Sequence, residues 1–256
     1  MGAGRIWAGS LRYYQTIDST NTEAKRLADT GAPHGTVLVA DHQTMGRGRM
    51  GNSFHSPADN GIYLSCILRP DCHASELSHL TCCVAVAICN AIEEVTGFRP
   101  KVKWINDLIA NGKKLGGILT ELSLDGTGHV RYGVVGIGIN CNQTEDFPSA
   151  LQGIATALSQ AVGKPVEREL LIAKIMDQLY KISQALFMEK ATLMAQYRKD
   201  CITIGQDIQV LKGDERRRAT ALSLADDGSL LVRYHDGTTE AVNSGEVHVR
   251  GLYGYC

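Results

Sequence analysis

The hexapeptide Gly46-Arg47-Gly48-Arg49-Met50-Gly51 constrains the fold more than any other stretch, because it invites a widespread nucleotide-binding architecture and then fails it. Its spacing satisfies Gly-x-Gly-x-x-Gly, which in a dinucleotide-binding fold joins a strand directly to the first turn of a helix. A strand fits upstream, over Thr36-Val37-Leu38-Val39-Ala40. Downstream, residues 52–61 read Asn-Ser-Phe-His-Ser-Pro-Ala-Asp-Asn-Gly, the chemistry of a loop. The Rossmann turn is therefore excluded. What remains is a loop whose glycines permit sharp bends and close approach, and whose Arg47 and Arg49 carry permanent charge. Such a loop suits a ligand bearing phosphate or carboxylate groups.

Strand-like and helical runs alternate through the first two hundred residues. Tyr13–Ile17 is expected to be extended, and Thr20–Leu27 helical, with Thr20 and Glu23 at capping-box spacing. Thr36–Ala40 and Ile62–Leu68 are strand candidates, and Leu77–Val95 is a long apolar helix ending before Gly97. Val102–Ile109 and Leu115–Leu122 form an expected hairpin about Asn111-Gly112, a dipeptide that favours tight primed turns. Tyr132–Asn140 adds a strand carrying Gly136 and Gly138, and helical spacing recurs over Glu167–Arg198. Beyond Ile202 the texture changes. Ile208–Leu211, Arg218–Ser223, Leu230–Tyr234 and Glu240–Val242 are short strands, punctuated by Asp227-Gly228 and Asp236-Gly237, as in a small antiparallel barrel. The class is α+β, divided as a body over 1–200 and a β tail over 201–256.

The charge balance, 26 Lys and Arg against 27 Asp and Glu, gives no global field for nucleic acid or membrane. Glu215-Arg216-Arg217-Arg218 lacks interleaved aromatics and is expected at a solvated strand edge or turn, not on RNA. No apolar run approaches the roughly 18 residues of a membrane span, and Met1-Gly2-Ala3-Gly4-Arg5 precedes no secretory core. The cysteines, at 66, 72, 82, 83, 89, 141, 201 and 256, show no metal-ligand spacing. They are expected to pack as small hydrophobes in a reduced, cytoplasmic protein.

Four polar groupings could carry chemistry. Asp18-Ser19-Thr20-Asn21 can cap a helix or offer short donors and acceptors to a planar polar ligand. The glycine and arginine loop, with Gln43 upstream, is the second. The third is Lys103-Trp104-Ile105-Asn106-Asp107 with Lys113-Lys114-Leu115-Gly116-Gly117. Its plain reading is an amphipathic strand, with Lys103, Ile105 and Asp107 on one face, and a lysine-bearing turn; paired glycines within a strand nonetheless point to close approach. The fourth, Val135-Gly136-Ile137-Gly138-Ile139-Asn140, interrupts an apolar strand twice, as a ligand lying across the sheet would require. No nucleophile is paired with a histidine, so the chemistry expected is positioning of two reactants and polarisation of phosphate oxygens.

In order and spacing these five motifs (Asp18–Asn21, Gly46–Arg49, Lys103–Asp107, Lys114–Ile118 and Gly136–Asn140) resemble those of the biotin protein ligases, over nearly the whole chain. Ser244-Gly245-Glu246-Val247 resembles the last strand of that family's small barrel. The resemblance implies a mixed sheet with helices, like that of class II aminoacyl-tRNA synthetases, followed by an SH3-like β-barrel. It implies activation of biotin by ATP with Mg²⁺ to biotinyl-5′-AMP, then transfer to one lysine of a biotin carboxyl carrier protein or domain. Ser19, Thr20, Asn21 and Gln43 would hold the ureido head of biotin, with Arg47, Gly48, Arg49 and Lys114 completing its pocket. Arg47, Arg49, Phe54, Lys103, Trp104, Asn106, Lys114 and Asn140 would meet the nucleotide. Lys114, Arg49 and Asp107 would be catalytic, with Mg²⁺ arriving on ATP and no fixed protein metal site. A monomer or weak homodimer is expected.

The pattern departs from the family at three places. Ile105 replaces a usual proline, and Asn52 and Phe54 stand where Arg and Trp are common. Phe54 can still stack on a base, but Asn52 supplies no charge. Some members carry an N-terminal helix-turn-helix; only twelve residues precede Tyr13, too few for one. A lipoate or octanoate ligase or transferase of the same core is the alternative, and the polar Ser19-Thr20-Asn21 set favours biotin.

Overall fold

The computed structural model describes residues 11–143, 146–244 and 248–251. Alternation along its strands decides the layering. Seven strands form one mixed sheet: β1 (Leu11–Ile17), β2 (Val37–Gln43), β3 (Gly61–Leu68), β4 (Lys101–Lys103), β5 (Asp107–Ala110), β6 (Lys113–Leu124) and β7 (Val130–Asn140). Their order is β1-β2-β3-β7-β6-β5-β4. β1 and β2 run parallel across helix α1 (Thr20–Asp29), and the other neighbours are antiparallel. The arginine loop therefore links antiparallel β2 and β3, in agreement with the exclusion of a Rossmann turn.

One face of the sheet, including Ile62, Leu64, Val135, Ile137 and Ile139, joins the larger apolar core. Against it pack α2 (Leu80–Thr96) and α4 (Arg168–Ala185), the short α3 (Leu158–Val162) lying between them in the chain. The other face presents Leu38, Ile67, Tyr132 and Val134 to Ala24 and Ala28 of α1. The stretch Ala74–Thr96 is long and apolar enough to cross a membrane, yet 72% of its most apolar window is buried inside the fold. It is a core helix, closed by Gly97 in the left-handed region at φ 75°. Cys66, Cys72, Cys82, Cys83, Cys89, Cys141 and Cys201 are all buried free thiols, as packing residues should be. Burial pushes Cys83 and Cys89 up to about 12. The segment Met1–Arg5 and Cys256 lie outside the described residues.

The tail forms a five-stranded antiparallel sheet: β8 (Asp207–Lys212), β9 (Glu215–Leu224), β10 (Leu230–Tyr234), β11 (Thr239–Val242) and β12 (His248–Gly251), in order β11-β10-β9-β8-β12. Both expected turns are present: Asp227 accepts from the Ser229 N–H and hydroxyl, and Asp236 from those of Thr238. The arginine run lies on β9, where Arg217 pairs with Asp236 and covers the Tyr234 ring. Of the expected last-strand motif, Ser244 lies in a turn, and residues 245–247 are outside the described residues.

Three expectations need correction. Val102–Ile109 is two strands, β4 and β5, that reverse through Trp104–Asn106, where the Trp104–Ile105 peptide is cis. Tertiary anchors override the local alternation here. The Trp104 N–H donates to Thr203 Oγ1 at 2.9 Å, its indole N–H to the Gly228 carbonyl at 2.9 Å, and the Tyr197 hydroxyl to the Ile105 carbonyl. Glu167–Arg198 is also divided, into α4 and α5 (Lys190–Asp200), with a turn where buried Leu186 meets His79 Nε2 at 3.1 Å. Finally, α1 is capped by Ser19, not Thr20; Ser19 Oγ accepts from the Thr22 N–H at 3.5 Å.

Candidate active site

The pocket grows out of strand register. Asp107 on β5 stands beside Gly117 on β6, Gly117 beside Gly138 on β7, and Gly138 beside Tyr63 on β3. One row away, Leu119, Gly136 and Ser65 are neighbours; a further row, Glu121, Val134 and Ile67, runs towards α1. Alternate residues share a face, so all three rows project to the side of the sheet that carries α1. α1 covers the large residues and reaches the glycines only at Gly136, through Asn21 of its first turn. The floor beyond its N-terminus is thereby left open.

The interrupting glycines first accommodate the protein's own side chains. A Cβ on Gly136 would stand 2.0 Å from Asn21 Oδ1, and one on Gly138 would stand 2.7 Å from Phe54 Cε1. Asn21 and Phe54, which lie on these two positions, both line the pocket. Gly136→Ala is therefore expected to cost about 1–3 kcal/mol through overpacking. Thermal denaturation checks this, and an unchanged Tm would place Asn21 elsewhere.

Polar groups at the start of α1 form a closed network. Gln43 Oε1 accepts from the Thr20 N–H at 2.9 Å and its hydroxyl at 3.1 Å, while Gln43 Nε2 donates to Ser56 Oγ. Ser65 Oγ lies 2.8 Å from Thr20 Oγ1 and 2.6 Å from Asn21 Oδ1. Asn21 Nδ2 donates to the Leu119 carbonyl and to Glu121 Oε2. Ser19, Thr20 and Asn21 are all buried.

The loop makes a tight excursion over this floor. Arg47 bridges to Ser53 across it, and Gly46 is required because a Cβ there would meet the Phe54 carbonyl at 2.4 Å. Arg47 reaches Glu121 with both terminal nitrogens at 3.1 Å. Arg49 donates to Asn106 Oδ1 at 3.1 Å and to the Ser244 carbonyl of the tail. Burial pushes the Arg49 guanidinium down, and Asp107 acts against that shift. At the far end, Lys114 Nζ sits 2.6 Å from Asp107 Oδ1. A bulge between Leu108 and Ile109 in the β5–β6 pairing re-aims Lys114 to the face of Gly117, whose added Cβ would lie 3.7 Å from Lys114 Cε.

The structure thus gathers Ser19, Thr20, Asn21, Gln43, Arg47, Gly48, Arg49, Phe54, Asn106, Asp107 and Lys114 around one cavity. Lys103, Trp104 and Asn140 do not line it. Trp104, buried and bonded to Gly228, anchors the tail instead of facing a nucleotide. Lys103 lies opposite Asp107 in the β4–β5 pairing, and Asn140 donates to the Thr156 carbonyl one row beyond Gly138. Sequence reasoning missed Glu121, Lys25, Ser65 and Ser244. Glu121 was accessible in principle, since it shares the strand parity of Gly117 and Leu119. Burial pushes its carboxyl up, but hydrogen bonds from Lys25 and Asn21 and the Lys25 and Arg47 charges outweigh that and hold it below its ordinary value.

Residues 13–140 match the model of the biotin/lipoate A/B protein ligase family, and residues 203–250 match that of the biotin protein ligase C-terminal domain. The chain is 38% identical over 231 residues to the bifunctional ligase/repressor BirA of Bacillus subtilis, covering 89% of this chain and 70% of that protein. It is 30% identical over 257 residues to the biotin--[acetyl-CoA-carboxylase] ligase of Mycobacterium tuberculosis, covering 98% and 92%. The fold superposes on the Aquifex aeolicus biotin protein ligase in complex with biotin and ATP, with TM-score 0.79 and 29% identity over 94% of this chain and 99% of that one. With both models matched in order, the chain belongs to the biotin/lipoate A/B protein ligase family.

Proposed function

We propose that this chain is a biotin protein ligase that joins biotin to ATP as biotinyl-5′-AMP and passes the biotinyl group to a lysine of a carboxylase carrier domain, in the cytoplasm. The observation that carries the reading is one cavity with hydrogen-bonding side chains at one end and a lysine–aspartate pair at the other, under an arginine loop. A lipoyl or octanoyl chain would leave the polar end unmatched, since such a tail has no ring of N–H and C=O groups. The names of the Mycobacterium tuberculosis relative and of the Aquifex aeolicus structure agree with biotin.

In the first step the biotin carboxylate attacks the α-phosphorus and pyrophosphate leaves. Negative charge accumulates where Lys114 can shift its ammonium from Asp107 to the carboxylate and α-phosphate oxygens. Asp107 orients Lys114 beforehand, and once released it can receive the incoming lysine ammonium. Ser19, Thr20, Asn21 and Gln43 hold the ureido ring. Arg47, Gly48 and Arg49 close over the adenylate and exclude water from a hydrolysable anhydride. Phe54 offers its ring to the base and Asn106 its amide to the nucleotide. In the second step the incoming ammonium gives a proton to the Asp107 carboxylate, and the free amine attacks the acyl carbon. The bond from that carbon to the phosphate oxygen breaks with AMP leaving, and the second amine proton passes to solvent.

Among the described residues no three His, Cys, Asp or Glu side chains converge as a metal cage. The single wall carboxylate, Asp107, is already paired with Lys114. This donor set fits a Mg²⁺ that arrives on the phosphates of ATP, with Asp107 and Asn106 offering oxygens. The ion would neutralise phosphate charge in the first step.

The test is to mix the protein with biotin, MgATP and a carrier domain and map the added mass. One modified lysine is expected; no transfer overturns the reading. A second measurement addresses the missing charge at Asn52, which is exposed and donates to the Arg49 carbonyl. Asn52→Arg is expected to lower the ATP KM by about threefold to tenfold, by adding a charge-assisted phosphate contact. An unchanged or higher KM would show that this position does not face the triphosphate.

A further inference from the structure

Glu121 lies outside the cavity wall, yet two of the three side chains bound to it, Asn21 and Arg47, serve the pocket and its loop. Its Oε2 accepts from Asn21 Nδ2 at 3.0 Å and Arg47 Nη1 at 3.1 Å, and its Oε1 from Lys25 Nζ at 2.9 Å and Arg47 Nη2 at 3.1 Å. An ionised carboxylate can only accept hydrogen bonds, and so can the Leu119 carbonyl, the other partner of Asn21 Nδ2. The Asn21 amide is thereby fixed in one sense, with NH₂ towards Glu121 and oxygen over Gly136.

The polarity propagates. Asn21 Oδ1 has no proton, so the 2.6 Å contact with Ser65 uses the single hydroxyl proton of Ser65. The Thr20 hydroxyl then has two acceptors for its own proton, Ser65 Oγ at 2.8 Å and Gln43 Oε1 at 3.1 Å, and both point it into the protein. Asn21 and Thr20 are left with oxygen lone pairs as what they can offer a ligand. A wall of acceptors matches a ring that presents N–H donors, as a cyclic urea does.

We propose that Glu121 is a positioning residue for biotin recognition: it sets the donor–acceptor sense of the Asn21–Ser65–Thr20 wall and, through Arg47, tethers the loop that covers it. This rests on the biotin reading of the pocket. Glu121 touches no reacting atom, and its effect on substrate passes through Asn21 and Arg47. Both partners sit on other elements, α1 and the β2–β3 loop, so one side chain on β6 couples the ring pocket to its cover.

The test pairs biotin titration with hydrogen exchange of the ligand-free protein. Glu121→Ala is expected to raise the biotin Kd by about tenfold to a hundredfold, the loss of a charge-assisted hydrogen bond. In a cycle with Asn21→Ala, the double variant should match the weaker single variant, because the two act as a unit. Glu121→Gln keeps an oxygen for Asn21 and should restore biotin affinity to within about threefold, but it lacks the charge that holds Arg47. Its amides over 46–52 should exchange faster than in the parent, without biotin present, even if Glu121→Ala does not fold. Multiplying effects in the cycle, no loss of affinity in Glu121→Ala, or unchanged exchange in Glu121→Gln would each overturn the proposal. A parent protein that fails to bind biotin while loop exchange responds as expected would overturn the biotin reading and leave the tether standing.

Discussion

Lys114→Ala is expected to slow biotinyl-adenylate formation by about a hundredfold to a thousandfold, while the biotin Kd moves by no more than about threefold. The asymmetry follows from where the ammonium sits. Lys114 is 2.6 Å from Asp107, at the opposite end of the cavity from the side chains assigned to the ureido ring. Its charge matters most as the carboxylate and α-phosphate converge, and little for a ring held by uncharged hydrogen bonds. Lys113 is the internal control: it is exposed, and it pairs with Ala110 at the hairpin turn. Lys113→Ala should leave both quantities near the parent values. Pyrophosphate release measured with carrier absent, together with a biotin titration, separates the two effects. Equal and small changes for Lys114→Ala would show that the bridging cation has been wrongly chosen.

That lysine also shows how far the sequence could be read. Strict alternation puts Lys114 and Gly117, three residues apart, on opposite faces of β6. The bulge beside Leu115 brings them to the same face, and main-chain bonds from the Lys114 N–H to the Ile154 carbonyl and from the Thr156 N–H to the Lys114 carbonyl pin it. Nothing in Lys113-Lys114-Leu115-Gly116-Gly117 announces a bulge, since its cause lies forty residues away. Trp104 failed for a related reason. Its strand-like neighbours suggested alternation, whereas Thr203 and Gly228 in the tail determine where it points. By contrast Gly136 and Gly138 were legible as places that need room, because β-branched residues serve a buried strand better. What fills the room was not: Asn21 and Phe54 come from other elements, and only the fold brings them there. Local chemistry marks the site residues well, and their mutual geometry is set by long-range register.

Arg49→Gly is expected to release biotinyl-adenylate before transfer, raising free adenylate by about tenfold or more through two lost hydrogen bonds from a charged donor. The guanidinium spans two bodies, donating to Asn106 Oδ1 beside the lysine–aspartate pair and to the Ser244 carbonyl at the edge of the tail sheet. A glycine cuts both ties and adds backbone freedom to a loop that already contains Gly46, Gly48 and Gly51. The loop would then open while the mixed anhydride is still bound, and the escaped adenylate would acylate any exposed amine. Filtrates of variant, biotin and MgATP should contain adenylate, and a bystander protein should become biotinylated on many lysines. Arg49→Lys keeps the charge but not the planar fork that spans both acceptors, so its leakage should fall between the two. Filtrates no richer in adenylate than the parent's would sink the closure role. The Ser244 contact would then be a plain strut between body and tail.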